Sequence, residues 1–232
     1  MSEARNEKNR QSEKYEVARA GKGLALESGW DGPGWNAIRP LSLELFMGEK
    51  PEHRPRTEAK VAYDDRKIYV AFRVEDRYVR AVEEKYHDMV CCDSCVEFFF
   101  TPNSDIGTGY FNLEMNCGGT LLLYHQANRS EIGRTVVAEA DCRRIEIHHQ
   151  LPKRIDPEIA DPVTWVLACA IPFEMLEKYS RVTRPAPGVS WRANFYKCAD
   201  HTSHPHWLTW SKVDNPRPDF HLPEFFGTLK FV

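Results

Sequence analysis

The segment at residues 191–210, WRANFYKCADHTSHPHWLTW, begins with a strand pattern and continues into a histidine-rich loop. Successive strand side chains point to opposite faces, so Arg192, Asn194 and Tyr196 share one face, opposite apolar residues that can be buried. That face carries a guanidinium, an amide and a phenol, and the loop leads to the aromatic Trp207. These groups suit a flat ligand rich in hydroxyl groups, because they offer hydrogen bonds and an aromatic plane.

Polar side chains of the same kind are predicted on one face of three further strands. They are Arg73 on the first strand, Glu97 on the second, and Asn112 and Glu114 on the third. Carboxylate, guanidinium and amide groups bind neighbouring hydroxyl groups, and an aromatic ring packs against the C–H face of a sugar. The alternative is a polar sheet face without a ligand, whose cross-strand charge pairs only stabilise the sheet.

The tryptophans of the chain have different predicted positions. Trp207 and Trp210 are three residues apart, so a regular strand sends them to opposite sides, and we assign Trp207 to the polar face. Trp30 and Trp35 lie in the turn-rich stretch GWDGPGW, and we expect them to pin that loop onto the fold.

The pattern along the chain predicts the strands that position these residues. Residues 57–63 and 67–75 form a hairpin around an Asp-Asp-Arg turn, and residues 110–116 and 120–126 form another around a Gly-Gly turn. Further strands are expected at residues 41–46, 79–85, 93–101, 135–139, 144–149, 164–171 and 227–232, loops at residues 152–162 and 214–223, and one helix at residues 172–179. About ten to twelve short strands with turn signals predict an all-β fold, an antiparallel β-sandwich.

Length, charge and hydropathy limit the function classes. A chain of 232 residues suits one domain, which we place at residues 14–232 after a polar, disordered segment at residues 1–13. The net charge of −3, with both signs interspersed, argues against nucleic-acid binding, and no run approaches the ~20 apolar residues of a membrane span. The N-terminus lacks the apolar core of a signal peptide, so we expect a cytoplasmic protein, or an extracellular or periplasmic one if a leader has been removed.

The cysteines do not have the spacing of a disulfide framework. There are seven of them, an odd number. Cys91, Cys92 and Cys95 lie in or beside a predicted strand, and we interpret them as small buried thiols rather than a metal cluster.

Five segments occur in an order that resembles the family 9 carbohydrate-binding modules, DOMON-like β-sandwiches often appended to xylanases. They are DSCVEFFFTP at 93–102, YFNLEMNCGGTLLL at 110–123, WVLACAIPFEML at 165–176, WRANFYKCAD at 191–200 and FFGTLKF at 225–231. The resemblance covers the chain from about Trp30 onward. It implies a non-catalytic jelly-roll sandwich that grips the end of a glycan and sometimes binds structural calcium.

In the family that the chain resembles, two tryptophans hold a sugar while a glutamate, amides and an arginine take its hydroxyl groups. The glutamate falls on Glu97 and the late aromatic residue on Trp207. The tryptophan expected about six residues before the glutamate is absent, and Cys91 stands there. Either half of the aromatic clamp is missing, or it is replaced by Tyr86, Tyr110 or Tyr196.

The predicted ligand is therefore an oligo- or polysaccharide, and the predicted partner is a carbohydrate-active enzyme of the same system. The residues predicted to bind carbohydrate are Trp207, Glu97, Asn112, Glu114, Arg192, Asn194, Tyr196, Tyr110, Arg73 and His204. Calcium would have Asp64, Asp65, Asp76 and Asp105 as candidate oxygen ligands, although aspartates in turns are commonly turn formers.

Three alternatives stay open at this point. A glycoside hydrolase could use Glu97 and Glu114 as its two carboxyl groups. A haem-binding DOMON-like domain would need an axial ligand, but Met115 is assigned to the core and no paired ligand is evident. A zinc or copper centre would draw on His201, His204, His206, Asp200, Cys198 and His221.

Overall fold

The computed structural model of the chain describes residues 13–128 and 131–232. The predicted disordered segment, residues 1–13, lies outside the described residues except for Glu13, so its disorder stays a prediction. The described residues form sixteen strands and two short α-helices. The strands are β1 (Lys14–Arg19), β2 (Leu41–Ser42), β3 (Leu45–Phe46), β4 (Arg56–Tyr63), β5 (Lys67–Asp76), β6 (Val79–Ala81), β7 (Cys95–Thr101), β8 (Tyr110–Asn116), β9 (Leu121–Gln126), β10 (Arg134–Val136), β11 (Glu146–His149), β12 (Ile155–Ile159), β13 (Val163–Pro172), β14 (Ser190–Cys198), β15 (Trp207–Thr209) and β16 (Gly227–Phe231), and the helices are α1 (Glu139–Cys142) and α2 (Phe173–Leu176).

Fourteen of the strands form two sheets that are joined through β1, and β6 and β12 form a separate two-stranded sheet. The first, which we call the site sheet, has the order β10-β9-β8-β7-β14-β16-β1, with β15 and β3 extending from β14. The second, the rear sheet, has the order β1-β4-β5-β13-β11, with β2 on β4. Strand β1 pairs in parallel with both β16 and β4, and the other described pairings are antiparallel. The predicted antiparallel β-sandwich is therefore confirmed, with a parallel strand at the junction of its two sheets.

The hydrophobic core lies between the two sheets. Phe98 and Phe195 of the site sheet stack with ring centroids 4.9 Å apart, and Phe72 of the rear sheet meets Phe195 edge-on at 6.1 Å. Trp191 is buried against Phe100 in the same layer. The predicted alternation along β14 is thus correct, because its apolar side chains point inward.

The outer face of the rear sheet is covered by the segment before β2. Trp30 and Trp35 are buried there against alanines of the sheet, as the sequence predicts. The Lys60 ammonium group donates hydrogen bonds to the carbonyl oxygens of Trp30, at 2.9 Å, and Trp35, at 3.0 Å. This buried cation holds the loop on the sheet, since each of its two bonds satisfies a backbone carbonyl that packing removes from water.

The outer face of the site sheet is covered by residues 211–226, which we call the covering segment. Val213, Phe220 and Leu222 of this segment are buried against β7, β8 and β14. The sequence predicts only a proline-rich loop here. The polar face that it assigns to the strands is therefore largely roofed rather than open to solvent.

Some predicted elements differ from the observed ones in ways that have physical causes. The predicted loop at residues 152–162 contains β12, which pairs irregularly with the three-residue β6; a proline is tolerated in such a short two-stranded ladder. The predicted strand at residues 41–46 is two short strands, each in a different sheet. A second helix, α1, begins at Glu139, where the sequence pattern ends a strand. Within the described residues, no helix has the length and apolar character to cross a membrane.

Candidate functional site

A cavity of about 210 Å³ lies between the site sheet and the covering segment. At roughly 30 Å³ per water molecule it has the volume of about seven waters, which fits a single sugar ring rather than a chain of them. The side chains that line it come from the turn before β7, from β7, β8, the end of β14, β15 and the covering segment: Cys91, Glu97, Phe99, Glu114, Cys198, Asp200, Trp207, Pro218, Asp219, Phe220 and His221. A larger depression of about 820 Å³, beside β1 and β2, contains none of the predicted site residues.

Glu97 and Glu114 form the acidic floor of the cavity. They are directly opposite each other on β7 and β8, and both are buried. The Cys198 thiol donates to Glu97 Oε1 at 3.0 Å, whereas none of the described residues donates to Glu97 Oε2. A buried oxygen without a donor is unfavourable unless a ligand supplies one.

The two carboxyl groups are hard to ionise in this position. Burial, followed by the neighbouring Glu114, raises the pKa of Glu97 well above its ordinary value. Burial also raises the pKa of Glu114 to about 7, although a hydrogen bond at 2.9 Å from the Asn112 amide acts in the opposite direction. At neutral pH this floor therefore presents protonated or half-protonated acids, which can both donate and accept hydrogen bonds.

Trp207 lies at the rim of the cavity, where it is half-buried. Its indole Nε1 donates to Asp200 Oδ1 at 2.8 Å, and this bond fixes the orientation of the ring. Burial raises the pKa of Asp200, while the indole hydrogen bond opposes that shift. Trp210 instead packs in the core, with its ring 5.7 Å from that of Phe195, so the predicted division between the two tryptophans is correct.

The position of the missing tryptophan is at the cavity wall. Cys91 lines the cavity there, and burial raises the pKa of its thiol. None of the three tyrosines proposed as replacements is among the described lining residues. The other rings that line the cavity are Phe99 and, on the covering segment, Phe220 and His221, none of which the sequence pattern assigned to sugar binding.

Three predicted residues of β14 bind the covering segment instead of facing the cavity. The Asn194 amide donates to the Ser211 carbonyl at 3.0 Å, and its Oδ1 accepts from the Ser211 N–H at 2.8 Å. Arg192 donates to the carbonyl oxygens of Phe226 and Gly227, and the Tyr196 hydroxyl donates to that of Phe220. The expectation that these side chains are open to a ligand is wrong, because a loop remote in sequence uses their hydrogen-bonding groups.

Asn112 and Tyr110 are on the predicted face but also lie beneath other groups. Asn112 is buried between Glu114 and Gln126. The Gln126 amide donates to Asn112 Oδ1 at 3.3 Å, and the Asn112 amide donates to Glu114 Oε1. Asn112 therefore orients Glu114 and does not line the cavity. The Tyr110 hydroxyl is 2.9 Å from His221 Nδ1 and helps to hold the covering segment.

Arg73 and His204 lie away from the cavity. Arg73 is on β5 of the rear sheet, paired with Glu75 at 3.1 Å, so its predicted place on the shared face is wrong. Side-chain alternation identifies the face of a strand but not the sheet to which the strand belongs. The His204 ring stacks on Tyr78 with centroids 3.7 Å apart, outside the cavity lining.

The histidine-rich loop does not form the alternative metal centre. His206 is buried with its Nε2 2.8 Å from the Lys197 ammonium group, and burial, reinforced by that cation, lowers its pKa to about 3. His201 is directed towards the Cys92 sulfur, 3.9 Å away. Among the described residues, one group of three has its candidate ligand atoms within 4.8 Å of one another: Cys95, Glu97 and Cys198. Burial raises the pKa of the Cys95 thiol to about 12 and also raises that of Cys198. Both thiols therefore keep their protons in this arrangement.

The four candidate calcium ligands do not come together either. Asp64 accepts from the backbone N–H groups of Arg66 and Lys67, which makes it a turn former. Asp105 accepts from the N–H of Gly107. Asp65 pairs with Arg19 and Asp76 with His53 and Lys197. The aspartates present therefore do not fit a single calcium site.

Comparisons with known proteins agree with the fold and the family that the sequence segments resemble. The sequence profile of carbohydrate-binding family 9 matches residues 37–231. No curated protein matches the sequence. The structure of a candidate carbohydrate-binding protein from Bacteroides uniformis ATCC 8492 superposes on this chain with a TM-score of 0.84 and 29% sequence identity. The alignment covers 95% of this chain and 100% of that one.

A family 9 carbohydrate-binding module from Caldicellulosiruptor kristjanssonii has been solved with cellotriose and with glucose. The cellotriose complex superposes on this chain with a TM-score of 0.63 and 13% sequence identity, and the alignment covers 94% of this chain and 93% of the module. The glucose complex superposes with a TM-score of 0.64 and 13% identity, and the alignment covers 95% of this chain and 96% of the module. Because the profile matches most of the length, the chain belongs to carbohydrate-binding family 9 and has the carbohydrate-binding role of that family.

Proposed function

We propose that the cavity between the site sheet and the covering segment holds one sugar unit at the end of a glycan, without catalysing a reaction. The observation that carries this proposal is the buried Glu97 Oε2, which lacks a donor among the described residues and belongs to a cavity that Trp207 flanks. A sugar hydroxyl would satisfy that oxygen. The related Caldicellulosiruptor module was solved with glucose and with cellotriose, and this chain shares its fold.

The size and cover of the cavity favour a terminal unit. The volume of about 210 Å³ accommodates one ring, and Pro218, Asp219, Phe220 and His221 of the covering segment form part of its wall. Glu97 and Glu114 then contact hydroxyl groups, and the Trp207 ring packs on a C–H face of the sugar. Asp200 takes no predicted part in hydroxyl binding but holds the indole in place.

The carboxyl pair favours binding over hydrolysis. A glycosidase needs one protonated carboxyl group and one ionised partner that acts as nucleophile or base. Burial raises the pKa of both Glu97 and Glu114, so at neutral pH neither carboxyl group is fully ionised to act as nucleophile or base. We expect the protein to release no product from chromogenic glycosides, and turnover that Glu97→Gln abolishes would contradict the non-catalytic proposal.

A glycan array with the purified chain and its Glu97→Gln variant tests the binding proposal. The substitution preserves the shape of the side chain. The amide oxygen can accept from the Cys198 thiol as Oε1 does, and the NH2 group then stands at the position of Oε2, where it cannot accept a hydrogen bond, so we expect each glycan signal to weaken. Affinity should fall by about 1–3 kcal/mol, the range for a hydrogen bond to a buried polar group. The matched control is Arg73→Gln on the rear sheet, which should bind as the unchanged protein does. Equal binding by both variants would remove Glu97 from the site.

A further inference from the structure

Three side chains with metal-binding atoms meet at the floor of the cavity. Cys95 and Glu97 are two residues apart on β7, so they point to the same face of the site sheet, and Cys198 is directly opposite Cys95 on β14. One candidate ligand atom of each side chain lies within 4.8 Å of those of the other two, and all three residues are buried. Two paired strands of the sheet, rather than a loop, therefore hold these atoms together.

The spacing of these atoms is close to that of a tetrahedral zinc site. With Zn–S bonds of about 2.3 Å and Zn–O bonds of about 2.0–2.2 Å, neighbouring ligand atoms are about 3.5–3.8 Å apart. In the structure the Cys198 sulfur lies 3.0 Å from Glu97 Oε1, and the Cys95 and Cys198 thiols are in hydrogen-bonding contact with each other. Side-chain shifts of about 1 Å would therefore give a zinc ion three ligands.

Glu97 gives a second, independent sign that a ligand belongs at this place. The residue is 2% exposed, and its Oε2 receives no hydrogen bond from the described part of the chain. A buried carboxyl oxygen without a donor is unfavourable until a ligand satisfies it. Since a carboxylate has two oxygens, one can bind a metal ion while the other accepts from a sugar hydroxyl, so the two ligands are compatible at this residue.

The donor set selects the kind of metal. Two sulfurs and one carboxylate oxygen match zinc, which binds both cysteine and glutamate, whereas calcium and magnesium take oxygen ligands. Three protein ligands leave the fourth position of a tetrahedral ion to water or another small oxygen ligand. Glu97 and Cys198 both line the cavity, so the ion and that fourth ligand can reach the site through it.

We propose that Cys95, Glu97 and Cys198 bind a zinc ion at the floor of the cavity, with a fourth coordination position open to the cavity. This inference goes beyond the proposed sugar site and does not depend on it. As the bonds to the ion form, the two thiols and the carboxyl group give the protons that they hold to the buffer. No electron is transferred, because zinc stays divalent.

Formation of the site has an electrostatic cost that is partly offset. Burial raises the pKa of Cys95, Glu97 and Cys198, so the ion must displace protons that these groups hold. The Lys197 ammonium group acts in the opposite direction on the pKa of Cys95 and of Glu97. Zinc supplies the larger compensation, because a thiol that coordinates it is deprotonated outright.

Titration of the reduced, chelator-treated full chain with Co²⁺ at pH 7, without oxygen, tests the inference. Co²⁺ occupies tetrahedral zinc sites, and its bonds to thiolates give charge-transfer absorption that the free ion lacks. We expect this absorption to saturate at one ion per chain. Added Zn²⁺ should abolish it, whereas added Ca²⁺ should not.

Three variants each remove one ligand: Cys95→Ala, Cys198→Ala and Glu97→Gln. Each should weaken zinc binding by at least about a hundredfold, the upper end of the loss that is typical of residues that only support a ligand. Glu97→Gln keeps the side-chain shape and both thiols, so it tests the site even if a cysteine variant fails to fold. The matched control is Cys92→Ala, whose sulfur lies 3.9 Å from His201 and is not one of the three ligands, and it should bind zinc as the unchanged protein does.

Two results would overturn the inference. One is a folded, reduced chain that shows no thiolate absorption in excess Co²⁺, which would leave the three residues as a thiol–carboxyl hydrogen-bond cluster only. The other is absorption that survives in Cys95→Ala and Cys198→Ala but is lost in Cys92→Ala, which would place the metal elsewhere.

The outcomes separate this inference from the proposed function. The cobalt titration contains no sugar, so its failure leaves the sugar site standing if glycans still bind on the array. Zinc binding by a chain that gives no glycan signal, with or without zinc, would support the metal site and overturn the sugar site.

Discussion

Glu97 and Glu114 lie side by side in a place that removes both from water. Their burial is tolerated because each receives a neutral donor and because a raised pKa lets the group keep its proton. Sequence alternation correctly placed both residues on one face. It did not identify Asp200 as a lining residue, since this aspartate comes after the end of β14, where alternation no longer applies.

The residue-scale prediction concerns Trp207. Replacement by alanine should weaken glycan binding by about 1–3 kcal/mol through loss of an aromatic contact with the sugar. Calorimetry with the best-binding glycan measures this difference. The control is Tyr78→Phe, which keeps the ring that stacks on His204 outside the cavity and should not change the affinity. An unchanged affinity in Trp207→Ala would exclude the indole from the site.

Strand β14 and the covering segment act as one element. The polar side of β14 looks from the sequence like a ligand surface, yet Arg192, Asn194 and Tyr196 all bind the covering segment. Binding residues and loop-anchoring residues have the same side-chain types, so composition and alternation do not separate them. Only contacts between residues distant in sequence show which role a given amide or phenol has.

The element-scale prediction follows from the paired bonds of Asn194. Asn194→Ala leaves the N–H and C=O groups of Ser211 without these partners, so stability should fall by about 1–3 kcal/mol. Amide hydrogen exchange at residues 211–226 should accelerate, because the covering segment is released from the sheet. Urea unfolding and exchange mass spectrometry measure the two effects.

A variant of the rear sheet controls for general destabilisation. Gln150→Ala removes a side-chain hydrogen bond to the backbone N–H of Val166, a bond of the same kind on the other side of the molecule. It should lower stability without speeding exchange at residues 211–226. Equal exchange in Asn194→Ala and Gln150→Ala would show that Asn194 does not hold the covering segment.

The whole molecule is a sandwich with a cover on each outer face. Its fold could be predicted from the sequence because hairpin turns and alternating strands are local signals, and β8 occupies the predicted residues 110–116. The order of strands is not local: the placement of β5 and Arg73 in the rear sheet depends on pairing with β4 and β13. The same limit applies to the covering segment, whose residues carry no periodic pattern.

At the molecular scale, the raised pKa of Glu114 makes stability depend on pH. The folded protein keeps this proton up to about pH 7, whereas the unfolded chain releases it near the ordinary value of 4.5. This contribution to stability is therefore complete below pH 4.5 and is lost as the pH rises through about 7. Glu114→Gln should remove the loss, on the order of 2 kcal/mol, so the variant gains stability relative to the unchanged protein between pH 5 and pH 8.

Urea unfolding of Glu114→Gln and of the unchanged protein, each at pH 5 and at pH 8, checks this prediction. Glu75→Gln on the rear sheet serves as the control. Its stability relative to the unchanged protein should not rise comparably from pH 5 to pH 8. A constant difference between Glu114→Gln and the unchanged protein at pH 5 and pH 8 would show that Glu114 is ionised to the same extent in the folded and unfolded chains.

The central claim is that a sugar occupies the cavity beside Trp207, and the indole N–H signals of the protein report on it most directly. The chain has six tryptophans, so a two-dimensional NMR spectrum resolves six such signals, and Trp207→Phe identifies the one at the cavity rim. On titration with a glycan that binds on the array, we predict that the Trp207 signal moves to saturation while those of the buried Trp165, Trp191 and Trp210 stay in place. Saturable binding that leaves the Trp207 signal unmoved would contradict the account.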